Sequence, residues 1–222
     1  MRHRGGVHAL LDLVLPLECG GCAAPSTRWC RGCAEQLSDL VRVTPRLDPG
    51  VPCWALGSYA GARRRAVIAG KERGRRDLAR PLGGALAVAL RRLREAGELD
   101  PPELAPLVLV PAPTRTRAAR VRGGDPVTAM ARVAVASLRG ATLAPVLTLR
   151  RGVRDSVGLS ALERADNLRG RVRCRGTISG PVDANVVLVD DVLTSGATAA
   201  ESVRALCGFG RPVSAVLVVA AA

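Results

Sequence analysis

The chain is 222 residues long, with 48% hydrophobic and 23% charged residues, proportions of a soluble globular protein large enough for one good-sized core and a small appendage. Thirty-three basic residues against 19 acidic ones give a net charge of +14, and Lys71 is the only lysine. The aromatic residues are Trp29, Trp54, Tyr59 and Phe209 alone, too few for a platform that stacks single-stranded nucleic acid, and the missing Gly-Lys-Ser/Thr excludes a Walker-type nucleotide loop.

Met1-Arg-His-Arg4 followed by Val7 to Leu17 has the outline of a signal peptide. His8 and Asp12 interrupt the apolar run, however, and it is too short to span a membrane. Glu18 also stands where a lipoprotein cleavage site before Cys19 needs a small residue. Val7, Leu10, Leu11, Val14 and Leu15 fall at helical spacing, which predicts a short amphipathic helix docking on the body of the protein and no transmembrane segment.

Cys19-Gly-Gly-Cys22 and Cys30-Arg-Gly-Cys33 follow. Two C-x-x-C knuckles this close can bring four thiolates round one tetrahedral Zn²⁺, the glycines allowing turns that point both sulfurs of a knuckle inward. Two disulfides compete with this reading, but no secretion signal accompanies them, and a redox pair lacks its βαβ context. With all four positions filled by protein, the metal holds the fold and does no chemistry. Cys53, Cys174 and Cys207 have no partner at metal spacing and read as small buried hydrophobes. His3 and His8 stand isolated and receive no catalytic role.

Pro45 to Pro52 mark the join to the body, dividing the chain into 1–50 and 51–222. Trp54 to Tyr59 reads as a strand and Asp77 to Arg94 as a helix with an apolar stripe of Leu78, Leu82, Leu86, Leu90 and Leu93. Pro81 falls in its early turns, where proline is tolerated. Leu107 to Val110 is a short buried strand ending in Pro111-Ala-Pro113-Thr114. Asp125 and Pro126 supply N-cap and N1 for a helix from Val127 to Leu138. After a strand near Val146 to Leu149, Ser160-Ala-Leu-Glu163 is a capping box for the helix carrying Arg164 and Asn167. Val213 to Val219 is the last strand. Strands alternating with helices predict an α/β fold with a mainly parallel sheet covered on both faces.

Val186 to Val189 make a buried strand, Asp190 and Asp191 follow at its carboxyl end, and Val192-Leu-Thr194-Ser195-Gly196-Ala197-Thr198 open into a helix over Ala199 to Leu206. Backbone N–H groups of such a loop and the first helical turn attract a phosphomonoester, with the hydroxyls of Thr194, Ser195 and Thr198 as further donors and Gly196 allowing close backbone approach. Two carboxylates beside an anion site suit a ligand that also carries vicinal hydroxyls, and they can help hold Mg²⁺. A sugar phosphate has both ends.

The positive charge is concentrated in residues 63–80, 111–122 and 150–175, with net charges of +6, +4 and +5, so the remainder is about neutral. Each segment begins after a stretch read as a strand, which predicts a basic rim at the carboxyl ends of the sheet, where a polyanion would bind. A solvated basic face without a ligand is the alternative.

Together these landmarks resemble the ComF family of competence-associated, phosphoribosyltransferase-fold proteins. The resemblance covers nearly the whole chain: the Cys knuckles, Lys71 followed by Gly74, the Val110-Pro-Ala-Pro113 turn, Arg122-Gly123, Leu159 to Leu168, and the Asp-Asp loop. It implies a type I phosphoribosyltransferase fold over 51–222 and a zinc-ribbon-like Cys₄ module over 1–50, with structural Zn²⁺ on Cys19, Cys22, Cys30 and Cys33. It implies that Asp190 and Asp191 hold the ribose hydroxyls of phosphoribosyl pyrophosphate (PRPP), which binds with Mg²⁺. Val192, Leu193, Thr194, Ser195, Gly196, Ala197 and Thr198 would then hold its 5′-phosphate, and Pro111, Ala112, Arg115, Arg117 and Lys71 its pyrophosphate side. The family is linked to uptake of single-stranded DNA, which implies a cytoplasmic protein at the inner face of the membrane and the DNA-uptake machinery as partner. The chain departs from the family's Arg-Gly-Phe-Asn-Gln at Arg122-Gly123-Gly124-Asp125-Pro126, and it has Ser156 where the family has Gln. These changes remove groups that stack on or hydrogen-bond a base-like acceptor. Two readings of function remain: transfer of a phosphoribosyl group to an acceptor, and a non-catalytic PRPP sensor or DNA-uptake adaptor.

Overall fold

The computed structural model describes residues 17–114, 124–150 and 161–222. The helix expected over Val7 to Leu15 lies outside them, as do Arg115, Arg117, Arg122, Gly123, Asp155, Ser156 and the Ser160 cap. The strands are β1 (Val41–Val43), β2 (Cys53–Ala55), β3 (Leu107–Pro111), β4 (Ala141–Leu143), β5 (Leu147–Leu149), β6 (Val172–Cys174), β7 (Asn185–Leu193) and β8 (Ala215–Ala221). The helices are α1 (Arg31–Glu35), α2 (Gly61–Glu72), α3 (Ala79–Glu95), α4 (Pro126–Ala136), α5 (Ala161–Leu168) and α6 (Ala197–Gly208). Six strands form one sheet in the order β1-β2-β8-β7-β3-β4, parallel throughout except for β1 against β2.

The central strands are continuous apolar runs because both of their faces are covered. Leu109, Val187, Val189, Leu217 and Val219 pack with residues of α2, α3 and α4. Val108, Val110, Leu188, Val216 and Val218 pack on the other face with α6 and the small β5–β6 sheet. Fully burying one such side chain contributes about 1.5–3 kcal/mol, so the sheet interior is the rigid base of everything at its edges. Among the described residues no helix is long and apolar enough to cross a membrane.

Several expected elements shift. The helix expected from Asp77 begins as a short 3₁₀ turn, Arg76–Leu78, before α3, but its leucine stripe is buried as expected. The first strand stops at Ala55, and Gly57 at φ 127° turns the chain before Ser58 bridges Ala221. Val192 and Leu193, expected in the loop, belong to β7, because β8 runs on beside them and pairs with them. The strand near Val146 to Leu149 is β5, which pairs antiparallel with β6 outside the main sheet. The basic segment that begins at Arg150 therefore follows a strand outside the main sheet. β1 precedes residue 50 yet pairs with β2, so sheet contacts cross the expected domain boundary. Cys53 is buried, but Cys174 is half-buried and Cys207 is exposed at the end of α6.

Candidate functional site

In an open parallel sheet a crevice forms where neighbouring strands send their connections in opposite directions. That point falls between β3 and β7. β3 leads through α4, packed on one face, to β4; β7 leads through α6, on the other face, to β8 on the opposite side. The two carboxyl ends are held together: Pro111 is in register with Val189, and the Ala112 N–H donates to the Val189 carbonyl at 2.8 Å. Pro111 and Ala112 are thereby brought beside the Asp pair.

Asp191 is only 6% exposed, and its Oδ1 lies 2.8 Å from Lys71 Nζ, whose side chain remains 45% exposed. The Asp191 N–H donates to Asp190 Oδ1 at 2.8 Å. Burial raises the Asp190 pKa to about 8; the charge of Asp191 adds to the rise, while Lys71 and the Asp191 N–H oppose it. Burial pulls the Lys71 ammonium pKa down, but the charges of Asp191 and Asp190 outweigh it and the net direction is up. Ionised together, buried Asp191 and half-buried Asp190 would leave the site short of positive charge with one lysine beside them, a lack that a divalent cation or a pair of hydroxyl donors would supply.

The loop after β7 departs from expectation in two details. Ser195 is buried and its Oγ accepts the Ala197 N–H at 3.5 Å, so this hydroxyl turns toward the start of α6. Gly196, at φ 88°, is required by a protein contact: an added Cβ would lie 2.3 Å from the Leu47 carbonyl oxygen and 2.8 Å from Pro45 Cβ. The Leu47 N–H also donates to the Ser195 carbonyl at 2.9 Å. The 45–47 segment thus closes one side of the loop. Exposed Thr194 and half-buried Thr198, with the first turn of α6, make up the side left for an anion.

Much of the basic segment 63–80 is structural. It forms α2 and the turn after it, which sequence periodicity missed. Arg63 donates to the carbonyls of Gln36, Leu56 and Ser58, and Arg65 to that of Gly21. Arg75 grips the Asp77 carboxylate at 2.7 and 2.8 Å and reaches the Glu18 carbonyl at 3.1 Å. These cations hold the N-terminal module against α2, so the charge count overstates the rim open to a polyanion. Of the pyrophosphate-side candidates, Pro111, Ala112 and Lys71 converge on the Asp pair, whereas Arg115 and Arg117 lie outside the described residues.

Beside Asp191 a cavity of about 420 Å³ opens between α2, the turn into α3, and the start of α4. Asp125 stands at its rim and accepts four hydrogen bonds, from the Thr114 hydroxyl at 2.8 Å, the N–H groups of Val127 and Thr128, and the Thr128 hydroxyl. Sequence reading found Asp125 as a helix cap. It missed the clasp to Thr114, which ties the end of β3 to the start of α4, because the two residues stand 11 apart in the sequence.

At the far end of α2 the sulfurs of Cys19, Cys22, Cys30 and Cys33 all lie within 4.8 Å of one another, with Cys22 and Cys30 3.5 Å apart. Burial opposes ionisation of Cys19, yet N–H groups of Cys30, Cys22 and Gly21 bring its pKa down to about 6; the Cys30 N–H donates to Cys19 Sγ at 3.3 Å. Cys33 moves the opposite way, pushed up by burial and by its three thiol neighbours. A Cβ on Gly21 would fall 2.5 Å from Cys33 Sγ and 3.0 Å from Ala62 Cβ, so the knuckle packs its backbone directly on the cluster and on α2. These four thiols could hold a metal ion such as zinc.

No protein-family model matches the chain, and no curated protein matches it.

Proposed function

We propose that the chain is a ComF-like protein with the type I phosphoribosyltransferase fold, which binds PRPP with Mg²⁺ and transfers its phosphoribosyl group to an acceptor. The observation that supports this most is the juxtaposition of two carboxylates with a Gly-containing helix-start loop at the point where the sheet's connections diverge. Asp190 and Asp191 accept the ribose hydroxyls, and the Thr194 and Thr198 side of the loop receives the 5′-phosphate. Lys71, exposed enough to move, exchanges Asp191 for the pyrophosphate and leaves that carboxylate to the ribose. Mg²⁺, which the two carboxylates would help hold, supplies charge compensation for the departing pyrophosphate. The acceptor's lone pair forms the new bond to the anomeric carbon, the bond to the pyrophosphate oxygen breaks with its electron pair, and any surplus proton leaves to water. The protein's contribution is orientation and electrostatic stabilisation.

Zn²⁺ is the metal we assign to the cysteines. A Zn–S bond of about 2.3 Å implies sulfur–sulfur edges of roughly 3.8 Å in a tetrahedron, which falls between the 3.5 Å of Cys22–Cys30 and the 4.8 Å within which all four sulfurs lie. The zinc cross-links two knuckles and takes no part in the reaction.

Calorimetric titration of PRPP with Mg²⁺ into the zinc-loaded protein and an Asp190→Asn/Asp191→Asn variant tests this reading. Affinity should fall at least about 100-fold in the variant, near 2.7 kcal/mol. Wild-type protein that fails to bind PRPP would sink the enzyme and leave an adaptor role.

A further inference from the structure

We propose that the cavity beside Asp191 is the acceptor site, and that it selects a small amino- or aza-aromatic carboxylate: an apolar body with one anionic group. This rests on the ribose-phosphate reading of Asp190 and Asp191, because Asp191 is the wall that the cavity shares with that site. An acceptor lying here has its nucleophilic nitrogen next to the ribose. That nitrogen gives its lone pair to the anomeric carbon while pyrophosphate leaves with the electrons of the broken bond, and an amine's surplus proton passes to water.

The class of acceptor follows from which polar groups are already spent. The body of the cavity is formed by Ala66, Val67, Leu78, Leu82, Ala129 and Met130, with no aromatic side chain for stacking. Asp125 is saturated by four hydrogen bonds and holds the Thr128 hydroxyl. Arg75 is committed to Asp77, Lys71 is held by Asp191 and, once PRPP binds, by its pyrophosphate, and Arg76 also has a partner. A nucleobase buried here would leave several edge donors and acceptors unpaired, which costs binding. Arg132 remains. It lies on the same face of α4 as Asp125, Thr128 and Ala129 by helical spacing, lines the cavity, is exposed, and among the described residues makes no hydrogen bond or ion pair. A guanidinium at the rim of an apolar chamber matches a carboxylate on an apolar ring.

The probes are 2-naphthoate and its neutral isostere 2-naphthamide, titrated by calorimetry into the zinc-loaded wild type and into Arg132→Gln, Ala129→Phe and Ala79→Leu variants. PRPP with Mg²⁺ is titrated into each in parallel. The acid should bind the wild type at least tenfold more tightly than the amide. Arg132→Gln should erase that preference. Filling the chamber from either wall, at Ala129 or Ala79, should abolish binding of both probes while PRPP affinity stays within about threefold, so one variant's failure to fold does not remove the test. Equal affinity for acid and amide, no binding of either, or binding that survives both filled variants overturns the proposal. An acid preference lost on filling, in a protein that does not bind PRPP, leaves the chamber's selectivity standing and overturns its role as acceptor site together with the ribose-phosphate reading.

Discussion

Helix α2 has a different kind of site at each end. Its start packs Ala62, fully buried, against Cys33 and the glycine knuckle, and four thiols there face inward around a single point. Its end presents a half-exposed Lys71 to buried Asp191, with half-buried Asp190 next to it, beside an open cavity. The first arrangement is closed: neutral thiols resist ionising together unless a cation compensates, and no position is left for a substrate. The second is open, and short of positive charge once both carboxylates are ionised, with a movable lysine as the temporary partner. One is suited to a resident ion and the other to a ligand that comes and goes, and a single helix of 12 residues sets the distance between them.

The largest effect should come from breaking the closed end. Removal of the metal by a chelator, or Cys33→Ser, should cost more than about 4 kcal/mol of stability, because the binding free energy of a structural metal is folding free energy. Because Arg65, Arg75 and Gly21 dock this module on α2 and the turn after it, the damage should travel. Hydrogen exchange should rise through α2, and PRPP affinity should fall with it. Loss of protection confined to residues 17–40, with PRPP affinity unchanged, would show that the two ends are independent.

A smaller effect is expected from Gly196→Ala. A left-handed backbone at a non-glycine residue costs on the order of 1–2 kcal/mol, and the new methyl would also press on the Leu47 carbonyl. Thermal denaturation should register the loss. Phosphate affinity should fall less than stability does, since the crowded side of the loop faces the 45–47 segment. If affinity collapses while stability holds, Gly196 serves the ligand, as the sequence alone suggested.

The two ends of α2 were legible in the sequence, and the helix between them was not. C-x-x-C spacing is a local signal, and so is a run of valines followed by Asp-Asp and a Thr-Ser-Gly loop. By contrast α2 buries only Ala62, Ala66, Val67 and Ala69, so its core face is made of small residues and leaves no leucine stripe. Two of its three arginines, Arg63 and Arg65, which read as part of a basic rim, are bound to backbone carbonyls. The extent of β7 was misjudged because pairing with the last residues of β8, not local propensity, carries Val192 and Leu193 into the sheet. The Lys71–Asp191 contact and the cavity beside it arise from tertiary placement, and no spacing rule announces them.

The smallest expected effect also separates ligand from scaffold. A folded pKa raised to about 8 shifts Asp190 toward the protonated form in the free protein at pH 7. Its contribution to stability is fully present below the unfolded value, near 4, and is lost as pH rises through about 8. The free protein should therefore lose stability over that interval by more than an Asp190→Asn variant does. PRPP with Mg²⁺ needs the ionised carboxylate, so its affinity should change in the opposite sense, tightening by at most about tenfold per pH unit up to about 8. Calorimetry at pH 7 in buffers of different ionisation heat counts the protons exchanged. Release of more protons by the wild type than by Asp190→Asn is the expected result. Equal proton counts would mean that the ligand does not engage Asp190 as a carboxylate, and Asp191, already beside Lys71, would be left as the only ribose contact of the pair.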